Sequence, residues 1–470
     1  MLTLIHPAPS VNLSAEFTAA IEAFEGIVIT GMQAAASADF DFRAHENAVL
    51  DAVRRLATSG VREVVAATMP AAEFIEVDGV LHKQMPEAKP GTYAGLDGEF
   101  KITRPLYREV GRRNGPTVDP IAVRCGMVEG RYTPAAAAGL AHLAQTAPSR
   151  ESADLARSLH VLPYSRSTFD RLGTLVGKRW DDIREDEEQR LIETFEVPDE
   201  AMSASFAVDR VSVPMEEDRE LTERDIERGI QRPIEVNLRM AYCGVWTLHD
   251  ADGEPLHSVR YGWLAETDGQ QAIEDALAAD ALALFEQRPD LRFVALADGA
   301  PEMQYMLDRV LNGLPVQARL VDFWHLLEKL AEAARAIDFP AEFMTARWRE
   351  MLLSDDGAID IIEGQLQSWA SPYGEVLPEG LYNALTYIEN QRDRLRYASV
   401  RAANLPIGSG HVEATCKTIV AVRMKRSGSR WRPPGGQSIL HLRSLATSSR
   451  WSPAMRAISS SYVRAVKEVA

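Results

Sequence analysis

The chain has 470 residues, a formal net charge of −17 and three cysteines. This length predicts about two to four domains, and a composition of 46% hydrophobic and 25% charged residues is typical of a soluble globular protein. No uninterrupted apolar run reaches the roughly 18 residues of a membrane span, and the N-terminus lacks the basic and apolar regions of a signal peptide. The cysteines are far apart, so we expect neither a disulfide framework nor a zinc ribbon, and a cytoplasmic location.

The charge is unevenly distributed along the chain. Residues 391–470 contain 15 Lys and Arg against 3 Asp and Glu, a net charge of +12, so the remainder carries −17 − 12 = −29. A basic C-terminal segment on an acidic protein is typical of a chain that holds DNA locally. The same segment could instead pack against the acidic body, and charge alone leaves both interpretations open.

The N-terminal part divides into a helical and a strand-rich region. Residues 1–90 are predicted to be mainly helical, because their apolar residues recur at spacings of three and four. Residues 91–132 are richer in Gly and Pro, and the runs EFKITRPLYREVG and PIAVRCGMV predict short strands. Neither pattern indicates a function.

Residues 133–190 are predicted to form three helices, each beginning near a residue that favours a helix start. These residues are Thr133, Ser149 and Ser165. Two short helices with a tight connection suggest a helix-turn-helix that binds DNA, although any three-helix bundle gives the same pattern. In the DNA-binding interpretation, the residues at the start of the recognition helix are Arg166, Ser167 and Arg171.

Residues 200–330 alternate between strand and helix patterns. The stretch Ala204–Val213 predicts a strand, and the alternation of side chains places Asp209 in an apolar row on one face. A buried carboxylate without a partner is costly, so Asp209 needs compensation. A salt bridge, a capped turn or a metal ion would each supply it.

Two further acidic residues stand at predicted strand ends. The runs LRFVALA and VQARLV end at Asp298 and Asp322, and functional groups of α/β sheets gather at the carboxyl ends of strands. Each aspartate could instead cap the helix that follows it. His325 lies three residues after Asp322, so both side chains could share one helix face. A structural and a functional role for His325 are equally open.

The C-terminal part of the chain is predicted to contain a helical insertion and then a helix that carries Glu413. Residues 331–400 are predicted to be a helical insertion, and residues 401–470 return with the helix HVEATCKTIVAVRMK, which Ser409 could cap. Glu413 flanks the apolar stripe of this helix, where it could pair with Lys417 or bind a metal.

The following run RMKRSGSRWR surrounds one tryptophan with basic residues. This combination suits contacts with a DNA backbone and stacking on bases, and a solvated face with one buried tryptophan is the alternative. The candidate DNA-binding residues are Arg423, Lys425, Arg426, Arg430, Trp431 and Arg432.

Four sequence blocks, in order, carry a resemblance to a known family. They are SFAVDRVSVPMEE, ALADGAP, RLVDFWHLLEKL and LPIGSGHVEATCKTIVAVRMKRSGSRWRPPGGQSILHLRSLATSSRW. From about residue 90 onward the chain resembles bacterial insertion-sequence transposases of the DDE superfamily, ISKra-type family, which are related to Mutator-like transposases. The resemblance implies an α/β, RNase H-like mixed sheet with helices on both faces, a helical insertion and a mainly helical N-terminal region.

The resemblance also implies an activity and its residues. The chain would be a nucleoid-associated DNA transposase that cleaves and joins insertion-sequence ends, as a homo-oligomer on DNA and with no membrane partner. Carried onto this sequence, the catalytic triad is Asp209, Asp298 and Glu413, holding Mg²⁺ or Mn²⁺. Asp322 and His325 would correspond to a D-x-x-H element of Mutator-like transposases. Many relatives carry a cysteine-rich zinc-binding segment that this sequence lacks, so zinc-dependent DNA binding is not expected.

Two alternative functions remain at this stage. A DNA-binding regulator would explain the basic segment but not the acids at successive strand ends, and a repair or processing nuclease could share the same fold. The sequence contains neither G-x-x-x-x-G-K-[ST] nor H-E-x-x-H, so a P-loop ATPase and a zinc protease of that class are not supported.

Overall fold

The computed structural model describes residues 13–265, 268–426 and 429–469. The chain forms two compact units, one comprising the residues up to Arg179 and from Ser452 on, the other Trp180–Trp451. Residues 1–12 of the predicted N-terminal helical region lie outside the described residues.

The first unit begins with two long helices, α1 (Ala15–Ala34) and α2 (Phe42–Ala66). Ser14 caps α1 and Asp41 caps α2, each by accepting a backbone N–H of the first turn. The strands that follow are β1 (Phe74–Val77), β2 (Val80–Gln84), β3 (Lys89–Ala94), β4 (Glu99–Arg104), β5 (Tyr107–Glu109) and β6 (Thr117–Val118). The prediction of a mainly helical region 1–90 was therefore wrong beyond α2.

The first unit contains a five-stranded sheet and a separate hairpin. The sheet has the order β12-β1-β2-β5-β6, where β12 (Val466–Val469) comes from the C-terminus, and β3 pairs with β4. The predicted strand PIAVRCGMV is instead the helix α3 (Pro120–Arg124). Asp119 accepts the backbone N–H groups of the first turn and Pro120 stands at the first position, so local capping decides the conformation.

Three helices occupy the region predicted to be helical after residue 133. They are α4 (Pro134–Thr146), α5 (Ser149–Ser158) and α6 (Arg166–Glu193). Thr133 caps α4 as predicted, its hydroxyl accepting from the Ala136 N–H at 3.3 Å. Ser149 is the first residue of α5 rather than its cap. Helix α6 continues through the acidic run to Glu193, close to the end of the predicted region 133–190.

The second unit is built on a mixed sheet. Its strands are β7 (Ser203–Asp218), β8 (Ile234–His249), β9 (Pro255–Leu264), β10 (Arg292–Ala297) and β11 (Val316–Val321). Their order is β11-β10-β7-β8-β9. β10 runs parallel to both β7 and β11, whereas β7, β8 and β9 form an antiparallel meander. The predicted mixed α/β class is confirmed.

Further helices lie between the strands of this sheet in the sequence and after its last strand. They are α7 (Glu223–Glu227), α8 (Gly269–Gln287), α9 (Pro301–Val310), α10 (Phe323–Ala336), α11 (Ala341–Ser354), α12 (Ala358–Ala370), α13 (Glu379–Gln391), α14 (Tyr397–Ala402), α15 (Gly410–Thr415), α16 (Val422–Met424), α17 (Pro433–Thr447) and α18 (Trp451–Ser460). A π-helical turn, Cys416–Ala421, joins α15 to α16. None of the helices in the described part of the chain has the length and apolar character that crossing a bilayer requires.

Helices cover both faces of the sheet, because alternate side chains of its strands enter two different cores. Ala207 and Val213 of β7 pack in one core with α10, α13 and the π-helical turn. Phe206 and Val208 pack in the other core with α8 and α9. Asp209 belongs to the row of Ala207 and Val213, as the alternation predicted.

β7 and β8 extend beyond the sheet. They pair along their whole length, from Ser203↔His249 to Asp218↔Ile234. β10 pairs with β7 only as far as Ala207, and β9 pairs with β8 only from Ala241 on. Residues 210–218 and 234–240 therefore form a two-stranded extension, which we call the β-arm.

Candidate active site

Asp209 lies on β7 just beyond the last residue paired with β10, opposite Cys243 of β8. Its carboxylate accepts the Arg210 backbone N–H at 2.6 Å and faces the Cys416 thiol at 3.5 Å. Burial raises the pKa of Asp209, and the negative charge of Asp298 raises it further. The carboxylate of Asp209 therefore lies close to that of Asp298. The charge of His325 lowers the pKa of Asp209 but does not offset the effect of burial.

Asp298 follows β10 in a turn that a distant helix holds in place. Its side chain accepts the Ala300 N–H at 2.9 Å, and its backbone carbonyl accepts the Tyr387 hydroxyl at 2.7 Å. The next carbonyl, of Gly299, accepts the Gln391 side-chain amide at 2.9 Å. Gly299 has φ +94°, and a Cβ there would lie 2.6 Å from the Tyr387 hydroxyl. Glycine is required by both the conformation and the close approach.

Asp322 is fully buried at the end of β11 and connects three parts of the site. One carboxylate oxygen accepts the backbone N–H of His325 at 2.8 Å, which caps α10, and lies 3.1 Å from the ring Nδ1 of His325. The other oxygen accepts the backbone N–H of Ser409. Burial opposes ionisation, but these hydrogen bonds together hold the pKa of Asp322 below its usual value.

His325 and Glu413 meet across α10 and α15. The ring Nδ1 of His325 lies 3.8 Å from a carboxylate oxygen of Glu413. The hydrogen bond with Asp322 raises the pKa of His325 to about 9, against the effect of burial. Burial and the charge of Asp322 raise the pKa of Glu413, while His325 lowers it. The distant glutamate is thus brought beside the strand-end aspartates.

Four acidic residues and one histidine consequently converge at one edge of the sheet. The charge of Asp298 raises the pKa of Asp209, and the charges of Asp322 and Asp209 raise the pKa of Glu413. They come from three stretches of chain separated by long segments. The structure thus brings together all five residues that the sequence predicted for the catalytic site.

The geometry distinguishes two sets of possible metal ligands. Among the described residues, Asp322, His325 and Glu413 can each offer a ligand atom so that all three atoms lie within 4.8 Å of one another. The predicted set of Asp209, Asp298 and Glu413 does not form such a group. Asp298 and Glu413 need not hold the same ion when two ions are bound, so this result leaves the predicted set untested. The predicted ligand set stays a prediction.

The helix that carries Glu413 differs from its predicted form. Ser409 makes no side-chain cap, and its backbone N–H donates to Asp322 instead. The helix also changes to π-helical geometry at Cys416–Ala421, and Cys416 in that turn is the residue whose thiol faces Asp209. Single π-helical turns inside α-helices are frequent at functional sites.

Sequence analysis missed the residues that support the Asp298 turn. Tyr387 and Gln391 belong to α13, in the region assigned only as an insertion. They lie four residues apart on a helix whose Leu381, Ala384 and Ile388 are buried. Two polar side chains at that spacing beside a buried stripe were the available signal.

The basic segment after the Glu413 helix is partly buried, which corrects one prediction. Arg423 is only 6% exposed, and its guanidinium lies 4.6 Å from the centre of the Trp431 ring. The indole N–H of Trp431 donates to the Met424 carbonyl at 3.2 Å. A guanidinium stacked in the interior does not reach a DNA backbone, so Arg423 is no longer a candidate DNA contact.

The exposed residues of this segment divide into two pairs. Arg430 lies 3.4 Å from Glu216 and Arg432 lies 2.9 Å from Asp218, both on β7. These ion pairs agree with the interpretation that the basic segment packs against the acidic body. Lys425 and Arg426 are exposed, and DNA binding by them stays a prediction.

The three candidate residues of the predicted helix-turn-helix lie near the start of α6 and are exposed. Arg166 donates to the Ser149 hydroxyl at 3.1 Å, and the Ser167 hydroxyl lies 2.9 Å from that of Ser165. Arg171 donates to the Tyr132 hydroxyl. Their position is compatible with groove contacts but equally with a solvated helix start.

Comparison with protein-family models, curated proteins and solved structures finds no match to the chain. The chemistry of the site therefore has to be inferred from its own residues. A cluster of carboxylates beside the carboxyl ends of β10 and β11, with a histidine next to it, is suited to binding divalent cations and the phosphate groups that such cations attract.

Proposed function

We propose that this chain is a DNA transposase, with an RNase H-like catalytic unit that cleaves and joins DNA strands by divalent-metal-dependent phosphoryl transfer. The observation that carries the proposal is the convergence of Asp209, Asp298 and Glu413, from three distant segments, at the edge where β10 ends and its pairing with β7 stops. The four ordered sequence blocks that resemble ISKra-type transposases support the same activity.

The residues present suit Mg²⁺ or Mn²⁺. Carboxylate oxygens are the ligands these ions prefer, and the pKa values of Asp209 and Glu413 are raised partly by neighbouring carboxylates, a repulsion that a cation would relieve. Asp209, Asp298 and Glu413 would hold these ions. A pair of such ions neutralises the phosphate, activates the nucleophile and stabilises the leaving oxygen.

The remaining site residues would position this ligand set. Asp322 accepts hydrogen bonds from His325 and from the Ser409 backbone, so it fixes the segment that leads into Glu413. Tyr387 and Gln391 hold the turn that carries Asp298. Water or a 3′-hydroxyl would approach the phosphate from the open side of the site, where Glu413 is 55% exposed.

DNA would be bound outside this acidic centre. The exposed Lys425 and Arg426 follow the Glu413 helix directly, and Arg430 and Arg432 could exchange their acidic partners on β7 for phosphates. Binding by these residues would be nonspecific and weaken steeply with salt. The start of α6, with Arg166, would supply any base recognition.

The test is nicking of a plasmid that carries the gene with its flanking DNA. The wild-type chain should cut at the element ends only when Mg²⁺ or Mn²⁺ is added. The variants Asp209→Asn, Asp298→Asn and Glu413→Gln should each lose at least about 1000-fold in rate while still retarding the same DNA in a gel. Asp308→Asn, an exposed acid paired with Arg319, is the matched control and should keep full activity.

The outcomes separate the proposal from its rivals. Cutting that persists in all three site variants, or that needs no divalent ion, would contradict the assigned site. DNA retardation without any cutting would favour a regulator. Cutting without joining of the freed 3′ ends to a second DNA would favour a nuclease of the same fold.

A further inference from the structure

The β-arm exposes one strand edge and one apolar face. No described strand pairs with residues 234–240 of β8 on the side away from β7, because β9 begins its pairing only at Ala241. The opposite edge of the arm is partly covered, since the Glu216 N–H donates to the Trp431 carbonyl at 2.7 Å. The uncovered edge therefore presents backbone N–H and C=O groups that another strand could use.

The side chains along this edge are unusually apolar for a free strand. Val236, Leu238 and Met240 point to one face and are 56%, 71% and 40% exposed. Free edges are normally protected by charges, prolines or a covering element. Leu238 lies opposite Pro214 in the arm, so no large charged side chain shields it from across the strand pair.

The edge sequence is complementary to itself in the antiparallel direction. If two copies of Ile234–Met240 pair with Asn237 at the centre, Glu235 of each copy stands opposite Arg239 of the other. On the other face, Val236 then meets Leu238, and Ile234 meets Met240. Directly opposed charges of opposite sign and opposed apolar side chains are the pairs that stabilise antiparallel strands.

Contacts within the arm leave Glu235 suited to a second arginine. Glu235 stands directly across from Glu217, a like-charged pair that is unfavourable by itself. Arg239 of the same strand donates a hydrogen bond to Glu217 at 2.7 Å, and Glu235 accepts one from the Asn237 side-chain amide at 3.0 Å. An arginine from a second copy would offset the repulsion between the two glutamates.

We propose that the free β8 edge is a homodimer interface, in which the β-arms of two copies pair antiparallel about Asn237 to form one continuous four-stranded arm. The partner is a second copy of this chain, because the edge supplies both halves of each charged and apolar pair. The two copies are related by a twofold axis, as is usual for such an isologous contact. The proposal is independent of the catalytic assignment.

The test is the oligomeric state of the full chain, measured by sedimentation over a range of concentrations without DNA or metal. The wild type should reach twice the chain mass. Glu235→Arg sets two arginines opposite each other in both charged pairs, and Arg239→Glu sets two glutamates there, so each variant should dissociate at least about tenfold more readily. Glu254→Arg, an exposed charge reversal at the far end of the β8–β9 hairpin, should dimerise like the wild type.

Mixing the two variants is the decisive measurement. In a heterodimer of Glu235→Arg with Arg239→Glu, both charged pairs again set an arginine opposite a glutamate, and neither like-charged pair of the homodimers remains. The mixture should therefore dimerise more tightly than either variant alone, by at least about threefold. That rescue also shows that each variant is folded. A wild type that stays monomeric, single variants that dimerise normally, or a mixture without rescue would each overturn the proposal.

Discussion

Two groups of charged residues lie within the second unit, and they differ in whether their charges are balanced. In one group, Asp280 is 2% exposed and accepts hydrogen bonds from the Trp246 indole at 2.6 Å and the Tyr261 hydroxyl at 2.7 Å. Arg450 lies 3.4 Å from the same carboxylate, and Arg184 lies 3.5 Å from Glu188. Asp280 and Glu188, which we call the paired cluster, each lie beside a guanidinium, and Arg184 pairs with Asp181 and Glu185 as well.

The candidate active site has the opposite composition. Among the residues that the structure describes, His325 is the basic side chain whose charge acts on Asp209, Asp298, Asp322 and Glu413 together. Buried charges persist when they are paired, whereas an excess of one sign leaves a repulsion that a bound cation or the uptake of a proton relieves. The comparison teaches that the number of acids does not distinguish a site from a structural ion network. The shortage of basic partners does.

The largest expected effect comes from a substitution that breaks the paired cluster. Asp280→Asn removes the charge that Arg450 faces, and it leaves a single, uncharged oxygen to accept from Trp246 and Tyr261. Because breaking a buried ion pair leaves an uncompensated charge, we expect a loss of about 3 kcal/mol in the free energy of unfolding. Urea unfolding followed by tryptophan fluorescence measures it.

The control for this prediction is an acid with similar partners at the surface. Asp308 lies 3.0 Å from Arg319 and 3.4 Å from Arg394, and its side chain is 39% exposed. Asp308→Asn should cost less than about 1 kcal/mol, since exposed ion pairs contribute little. Equal losses at Asp280 and Asp308 would show that the paired cluster contributes no more to the free energy of unfolding than a surface ion pair does.

A smaller effect should come from divalent cations at the active site. A ligand that binds only the folded chain stabilises it by about 1.4 kcal/mol at ten times its dissociation constant. Mn²⁺ or Mg²⁺ should therefore raise the midpoint of thermal unfolding of the wild type, and not that of Asp209→Asn. The Asp308→Asn control should respond as the wild type does. An identical shift in all three proteins would place the cation elsewhere.

Much of the sheet and its helices follows from local patterns in the sequence. The run GQQAIEDALAADALALFEQ predicts a helix, and α8 spans Gly269–Gln287. The strand ends at Asp298 and Asp322 were also predictable, because apolar runs stop there before a helix begins. These features depend on residues close together in the chain, where periodicity and capping carry the information.

The features that sequence analysis missed depend on contacts between distant residues. Tyr387 holds a carbonyl 89 residues away in the chain. Arg423 is buried because Trp431 folds back over it, although Lys425 and Arg426, which follow closely in the sequence, are exposed. The length of the β-arm reflects the pairing of β7 with β8 beyond their neighbouring strands. No local propensity encodes such long-range pairings, so only the folded chain reveals them.

The smallest expected effect has the most informative sign. Asp298→Asn keeps an oxygen to accept the Ala300 N–H but removes the charge that raises the pKa of Asp209. Without divalent ions the variant should be as stable as the wild type or gain up to about 1 kcal/mol, since repulsion at a partly exposed site is screened. With saturating Mn²⁺ the order should reverse, because the wild type gains binding energy that the variant lacks. Unfolding in urea with chelator and with Mn²⁺ measures both differences. A loss of stability in chelator like that of Asp280→Asn would mean that Asp298 belongs to a second structural ion network, and the excess of acid would no longer mark a cation site.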